Sequence, residues 1–154
     1  MDRIFFFKFA LLSLSMVTAL AWGQSPVVTV EGGMIQGVPS AASDVTVFRG
    51  IPYAAPPVGD LRWKRPQPVV KWKGVKVAET FSDICWQPGN AVGTFYGNEF
   101  YWKENTVQSE DCLYLNVWAP ADAVGNPTGK LPVAFWVHGG AYFNGYGHEI
   151  TMDG

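Results

Sequence analysis

The chain opens on a largely apolar stretch, residues 9–22, which follows Arg3 and Lys8 and closes on small residues in Ala19-Leu-Ala-Trp-Gly23. A positive end, a short apolar centre and a small-residue exit read as a signal peptide over residues 1–23, with cleavage after Gly23 leaving Gln24 as the new terminus. An uncleaved membrane anchor is the competing reading. A spanning helix needs about 20 apolar residues, and Lys8 interrupts this run, so no stable membrane anchor is expected. The expected location is secreted or periplasmic.

Beyond the leader the pattern changes to short β-type runs. Val27-Val-Thr-Val30 and Met34-Ile-Gln-Gly-Val38 flank Glu31-Gly-Gly33, which predicts a hairpin, and Val45-Thr-Val-Phe-Arg49 predicts a third strand. Residues 50–68 hold Pro52, Pro56, Pro57, Pro66 and Pro68, a density that forbids regular helix and predicts an ordered, extended segment anchored by Ile51, Tyr53, Leu61 and Trp63. Residues 87–108 mix glycine, asparagine and aromatic side chains without a period and read as a loop. Leu113-Tyr-Leu-Asn-Val-Trp118 predicts a strand, and Val133-Ala-Phe-Trp-Val137, nearly all apolar, predicts a central strand buried on both faces.

Composition narrows the partners. With 154 residues, 48% of them hydrophobic, the chain can bury a core, and a net charge of −2 with no basic run excludes a phosphate-tracking surface. No nucleic acid is expected. In an oxidising compartment Cys85 and Cys112 are expected to pair, with two free buried thiols as the alternative. Two cysteines with His138 and His148 at no close ligand spacing make no zinc cluster, so no metal and no cofactor are expected.

Candidate chemistry lies directly after the apolar strand, in His138-Gly-Gly-Ala-Tyr-Phe-Asn-Gly145. Glycines at a strand end let backbone N–H groups turn toward a ligand. In ester hydrolysis a carbonyl oxygen becomes an alkoxide, and a preorganised N–H donor lowers that barrier by about 3 to 4 kcal/mol. Steric need alone also places glycine in such turns. His138 is read as a side chain fixing the loop and not as a base, and His148 as loop surface.

The longer motif Ser109-Glu-Asp-Cys-Leu-Tyr-Leu-Asn-Val-Trp-Ala-Pro120 resembles a signature of the type-B carboxylesterase/cholinesterase family. Phe48-Arg-Gly-Ile-Pro-Tyr-Ala54, Pro56-Pro-Val-Gly59, Leu61-Arg-Trp63 and Leu131-Pro-Val133 extend the likeness over residues 24–154. The resemblance implies the N-terminal part of an α/β-hydrolase fold, with antiparallel N-terminal strands leading into a central mixed sheet. It implies that the amides of Gly140 and Ala141 are oxyanion-hole donors, with Gly139 permitting the bend. Ala141 stands where many members have a third glycine, and its amide can still donate. Cys85 and Cys112 match the family's first disulfide, Arg62 and Glu110 a buried ion pair, and Trp102 the position of an indole that binds a quaternary ammonium by cation–π attraction. An aromatic plug packing the loop onto the body is the competing reading of Trp102.

The expected reaction is serine-dependent hydrolysis of a small-molecule ester through an acyl-enzyme. Its nucleophile requires Gly-x-Ser-x-Gly, which the sequence lacks, so residues 24–154 are expected to be a truncated piece of the domain, inactive alone and leaving an apolar strand face exposed. The alternative is a piece of a non-catalytic, cholinesterase-like adhesion protein, which would not need the glycine loop. An unrelated β-rich binding module would leave the long signature match without a cause.

Overall fold

The computed structural model describes residues 26–41, 44–88, 93–99, 107–126 and 129–149. The leader reading of residues 1–23 and the position of Trp102 lie outside the described residues.

The predicted hairpin forms from β1 (Val27–Val30) and β2 (Gly33–Gln36), paired antiparallel from Val27 opposite Gln36 to Val30 opposite Gly33. The turn is capped by Trp72, whose indole lies over Gly32 and Gly33 and donates its Nε1 hydrogen to the Met34 carbonyl at 3.0 Å. A side chain at either glycine would displace that ring. Strand β2 ends before Gly37, and the next residues leave for a second sheet as β3 (Val38–Pro39), which pairs antiparallel with β4 (Val45–Pro52).

Strand β4 runs past the predicted Arg49 to Pro52. It is the middle of the second sheet, between β3 and the antiparallel strand β8 (Tyr114–Pro120). Thr46, Val47 and Phe48 are buried in succession, which requires cover on both faces of the strand. The ladder is irregular: Phe48 lies opposite Val117 but Ile51 lies opposite Leu115, so β4 carries one extra residue. That β-bulge sits at Gly50, whose φ of +65° is left-handed, and a β-carbon there would lie 2.7 Å from the Thr80 carbonyl oxygen.

Strand β5 (Val75–Val77) adds to β2 in parallel, making the first sheet mixed. Two backbone bonds join the sheets at one point: the Ala78 amide donates to the Gln36 carbonyl at 2.8 Å, and the Arg49 amide to the Ala78 carbonyl at 2.9 Å. The core sits there, built from Ile35, Phe48, Ile51 and Ala78, with Val28, Val30, Trp72 and Val124 packed around it.

The proline-rich segment is extended as expected, apart from one 3₁₀ turn at Gly59–Leu61. Its anchors differ from expectation. Ile51 is buried, Leu61 only partly, Tyr53 and Trp63 are exposed, and Ala54 and Ala55 are buried instead. A residue in a run without helix or ladder has its direction set by the path of the chain, so size does not decide which side chain turns inward. The Ala55 amide closes the segment by donating to the Gln67 carbonyl at 3.0 Å.

Residues 131–137 depart from the central-strand expectation. The backbone is extended but belongs to no ladder, and Val133, Phe135, Trp136 and Val137 are between 67% and 88% exposed. Composition alone makes this a doubly covered strand; a strand exists only beside a partner, and none lies alongside among the described residues. The apolar face is thus uncovered here, as the sequence predicts for a partial domain.

Cys85 and Cys112 are joined, with Cα atoms 5.1 Å apart and a sequence separation of 27. Replacing both by serine is expected to cost about 3 to 4 kcal/mol, the loop-closure entropy for a ring of that length. Urea unfolding of the double variant beside the parent chain measures it; an unchanged midpoint would show that the bond constrains nothing.

Candidate functional site

Two short strands lie beside the disulfide. Strand β6 (Ile84–Cys85) lies parallel to β7 (Gln108–Ser109), pairing Cys85 with Ser109, and a one-turn helix, α1 (Phe95–Glu99), lies in the chain between them. Beyond β7, Glu110 receives a forked pair of hydrogen bonds from Arg62, from Nε and from Nη2, each 2.5 Å. The pairing holds the end of the 3₁₀ turn beside the signature segment, as the resemblance implies. It is not buried, however: the side chains are 54% and 36% exposed. Hydrogen bonding to the Arg62 guanidinium lowers the Glu110 pKa, and hydrogen bonding to the Glu110 carboxylate raises that of Arg62, while the fork supplies geometry more than stability.

Two residues past the disulfide, Gln87 reaches the glycine loop. Its side-chain oxygen accepts the Gly145 amide at 2.7 Å, and its side-chain nitrogen lies 3.1 Å from the Gly145 carbonyl. Gln87 thus grips both backbone groups of one loop residue as a neighbouring strand would. Its own amide donates to Gln108 Oε1 at 3.1 Å, which ties the grip to β7. Sequence reading missed Gln87. The signal was a carboxamide two positions from a cysteine, in a stretch otherwise read as loop.

The loop itself is a tight turn. The amides of Phe143 and Asn144 both donate to the Gly140 carbonyl, at 2.8 and 3.2 Å. Gly140 has φ +118°, and a β-carbon there would collide with the Asn144 carbonyl. Ala141 and Tyr142 follow at φ +52° and +61°, left-handed values that cost a non-glycine residue about 1 to 2 kcal/mol. The amides of Gly140 and Ala141 enter no backbone hydrogen bond among the described residues, so both donors implied by the resemblance are unengaged. Gly139 precedes the turn with open space beside it, and its carbonyl lies 2.8 Å from His138 Nδ1. That imidazole also packs against Gly145, where a β-carbon would meet it, which fits the loop-fixing reading of His138.

The far end of the loop is held by aromatic stacking. His148 lies flat on Phe81, with ring centroids 4.7 Å apart and planes at 11°, and tilts against Tyr146 at 4.8 Å. The Arg49 guanidinium covers Phe81 at 4.9 Å. His148 is therefore half-buried packing and not loop surface; its neighbours Phe81 and Tyr146 come from a distant segment and from two positions back, which no local pattern announces. Burial lowers its pKa, with Glu149 acting in the opposite sense. Asn116 of β8 completes the frame. Its Oδ1 accepts the Gly50 amide of the bulge at 3.0 Å, and its Nδ2 lies 3.4 Å from the Gly147 carbonyl.

A separate open groove of about 540 Å³ lies over Pro52, Ala54, Val69, Trp72 and Tyr114. Burial, followed by a hydrogen bond to Asp111, pushes the Tyr114 phenol up to about 12. None of the groove's residues belongs to the glycine loop, so it is not part of this site.

A profile of the carboxylesterase family matches residues 24–154. The cholinesterase of Mus musculus is 40% identical over 131 residues, covering 83% of this chain and 21% of that protein. The para-nitrobenzyl esterase of Bacillus subtilis (strain 168) is 41% identical over 128 residues, covering 83% and 24%. Among solved structures, a PNB esterase superposes with a TM-score of 0.69 at 38% identity, and a thermophilic PNB esterase with 0.69 at 39%, each over 84% of this chain and 24% of theirs. The chain spans about a quarter of the length of these relatives, and its fold is the N-terminal part of an α/β-hydrolase.

Two glycine-loop substitutions should separate. Gly140→Ala forces a β-carbon onto the Asn144 carbonyl and should destabilise by about 2 kcal/mol or more. Ala141→Gly relieves left-handed strain against about 0.5 to 1 kcal/mol of extra unfolded-state entropy, and should be neutral to slightly stabilising. Urea midpoints of both variants check this; equal losses would refute the turn geometry.

The His148 stack gives a pH dependence. Its folded pKa lies below the unfolded value, so the neutral ring is favoured; the contribution is complete above about pH 6.5 and falls as pH drops through and below it. The difference in unfolding midpoint between about pH 7.5 and pH 5 should shrink in His148→Phe relative to the parent chain.

Proposed function

The chain belongs to the carboxylesterase family, and we propose that it supplies the oxyanion-stabilising part of a carboxylic ester hydrolase acting on a small-molecule ester. One observation carries this reading: the amides of Gly140 and Ala141, unengaged in any backbone bond among the described residues, stand in a turn whose path is fixed from outside by Gln87. Preorganised donors that cost no reorganisation are what an oxyanion hole requires.

In the proposed reaction a serine hydroxyl attacks the ester carbonyl and gives up its proton to a general base. The carbonyl oxygen takes the electron pair and becomes an alkoxide facing the Gly140 and Ala141 amides. Collapse of that intermediate expels the alcohol, which takes the proton back, and leaves an acyl-enzyme that water hydrolyses by the same route. Gly139 lies just before the turn and does not enter the chemistry. The 154 residues hold no Gly-x-Ser-x-Gly, so the serine and its partners belong to polypeptide other than this.

In this reading the exposed face of residues 131–137 is where the rest of the esterase sheet packs, and Arg62–Glu110 and the disulfide keep the N-terminal part rigid against it. Export to an oxidising compartment is part of the proposal, supported by the apolar leader and by the paired cysteines.

A chimaera tests the assignment. Residues 24–154 replace the matching segment of the para-nitrobenzyl esterase of Bacillus subtilis, to which they are 41% identical. The folded chimaera is expected to hydrolyse a para-nitrobenzyl ester and to be labelled by a serine-directed fluorophosphonate, while the 154-residue chain alone does neither. A folded chimaera that binds the label but turns over no ester would remove the oxyanion reading. Turnover by the chain alone would remove the claim that its nucleophile lies elsewhere.

A further inference from the structure

The glycine loop contains the dipeptide Asn144-Gly145, and Asn–Gly is the pair most prone to spontaneous deamidation, because glycine places no side chain in the way of its own amide nitrogen. The nitrogen of Gly145 attacks the Asn144 side-chain carbon, ammonia leaves, and a succinimide forms. Water then opens the ring to aspartate or isoaspartate, with no other reactant. Asn144 is exposed, and its Oδ1 lies 2.9 Å from where a β-carbon on Gly140 would stand, so its carboxamide lies beside the proposed oxyanion donors.

The attacking atom is the one Gln87 holds. The Gly145 amide donates to Gln87 Oε1 at 2.7 Å, and the Gly145 carbonyl is fixed by Gln87 Nε2 at 3.1 Å. A nitrogen kept in a planar, bonded peptide cannot rotate toward the Asn144 side chain. Gly145 itself is held at φ +109° against Gly139 and His138.

We propose that Asn144-Gly145 is a latent deamidation site in the oxyanion loop and that Gln87 guards it by engaging the Gly145 backbone. Loss of the guard converts a neutral carboxamide to a carboxylate beside Gly140, where a like charge opposes the alkoxide. That catalytic consequence rests on the oxyanion reading; the modification and its guard do not.

The full chain, with its disulfide formed, is incubated at neutral to mildly alkaline pH and digested, and the +1 Da product at Asn144 is followed by mass spectrometry. A short peptide covering residues 141–147 sets the unprotected rate. The parent chain should react well below the peptide rate, and Gln87→Ala about tenfold faster than the parent, the factor given by losing a hydrogen bond of ordinary strength. Gln87→Glu keeps the acceptor for the Gly145 amide and should stay slow; it also decides the matter if the alanine variant does not fold. A parent chain as fast as the peptide, an alanine variant no faster than the parent, or a folded glutamate variant at the peptide rate would each overturn the proposal. The catalytic consequence is read separately, as ester turnover in the chimaera carrying Asn144→Asp. Full turnover there overturns the charge effect and leaves the mass-shift result untouched.

Discussion

The irregular pairing of β4 with β8 is the constraint on which the other contacts depend. These strands are some 70 residues apart in sequence, and their ladder is costly in chain entropy until the core behind it forms. Once formed, it settles several things together. Phe48 and Ile51, on either side of the bulge, both reach the core because the extra residue at Gly50 restores their common direction. The amide freed by the bulge is taken by Asn116, and the other end of that carboxamide reaches Gly147. Continuing the pairing, the Tyr53 amide donates to the Leu113 carbonyl at 3.1 Å, which places Cys112 one residue away, ready to meet Cys85.

The glycine loop inherits its position from that frame and has no ladder of its own. It is held at one end by Gln87, which is tied to β7 and lies two residues from the disulfide, and at the other by the Arg49–Phe81–His148–Tyr146 stack. Arg49 belongs to β4 of the second sheet, while Gln87 is tied to the separate β6–β7 pair. Side-chain grips of this kind leave the Gly140 and Ala141 amides unspent among the described residues. A loop fixed by backbone pairing along its length would have used up the donors that the proposed chemistry needs.

What could be read from the sequence follows from how local each cause is. The hairpin at residues 27–36 and the strand around Val47 were legible because β-branched runs beside glycines carry their own signal, and the strand around Val117 because its aromatic and aliphatic residues form a short apolar run. The disulfide was legible from the expectation of export and the family likeness together. The bulge at Gly50 was not, since it reflects the Thr80 carbonyl thirty residues on, and neither was the exposure of Trp63, which apolar character alone placed inside. Within the site, the motif at residues 138–145 was plain in the sequence, while Gln87 was hidden because its partner is 58 residues away and a lone glutamine has no pattern. Residues 133–137 show the reverse case: their composition asks for a covered strand, and no described residue lies alongside to pair with them.

The backbone of the loop then raises a question of cost. Gly140, Ala141 and Tyr142 all have positive φ, and two of the three carry side chains, so the turn holds strain of about 1 to 2 kcal/mol at each of those two. Such strain persists only where surrounding contacts over-determine it. The Gln87 grip contributes two hydrogen bonds, the Gly140 carbonyl accepts two more, and the stack at His148 adds aromatic contact beyond them. At about 1 kcal/mol for each bond, these contacts are of the size needed to hold the turn. Tyr142 and Phe143 are exposed, so little of that support comes from burying the loop's own side chains. The strained turn is therefore held by its own bonds to the Gly140 carbonyl and from outside through Gln87 and the stack, and none of these contacts uses the Gly140 or Ala141 amide.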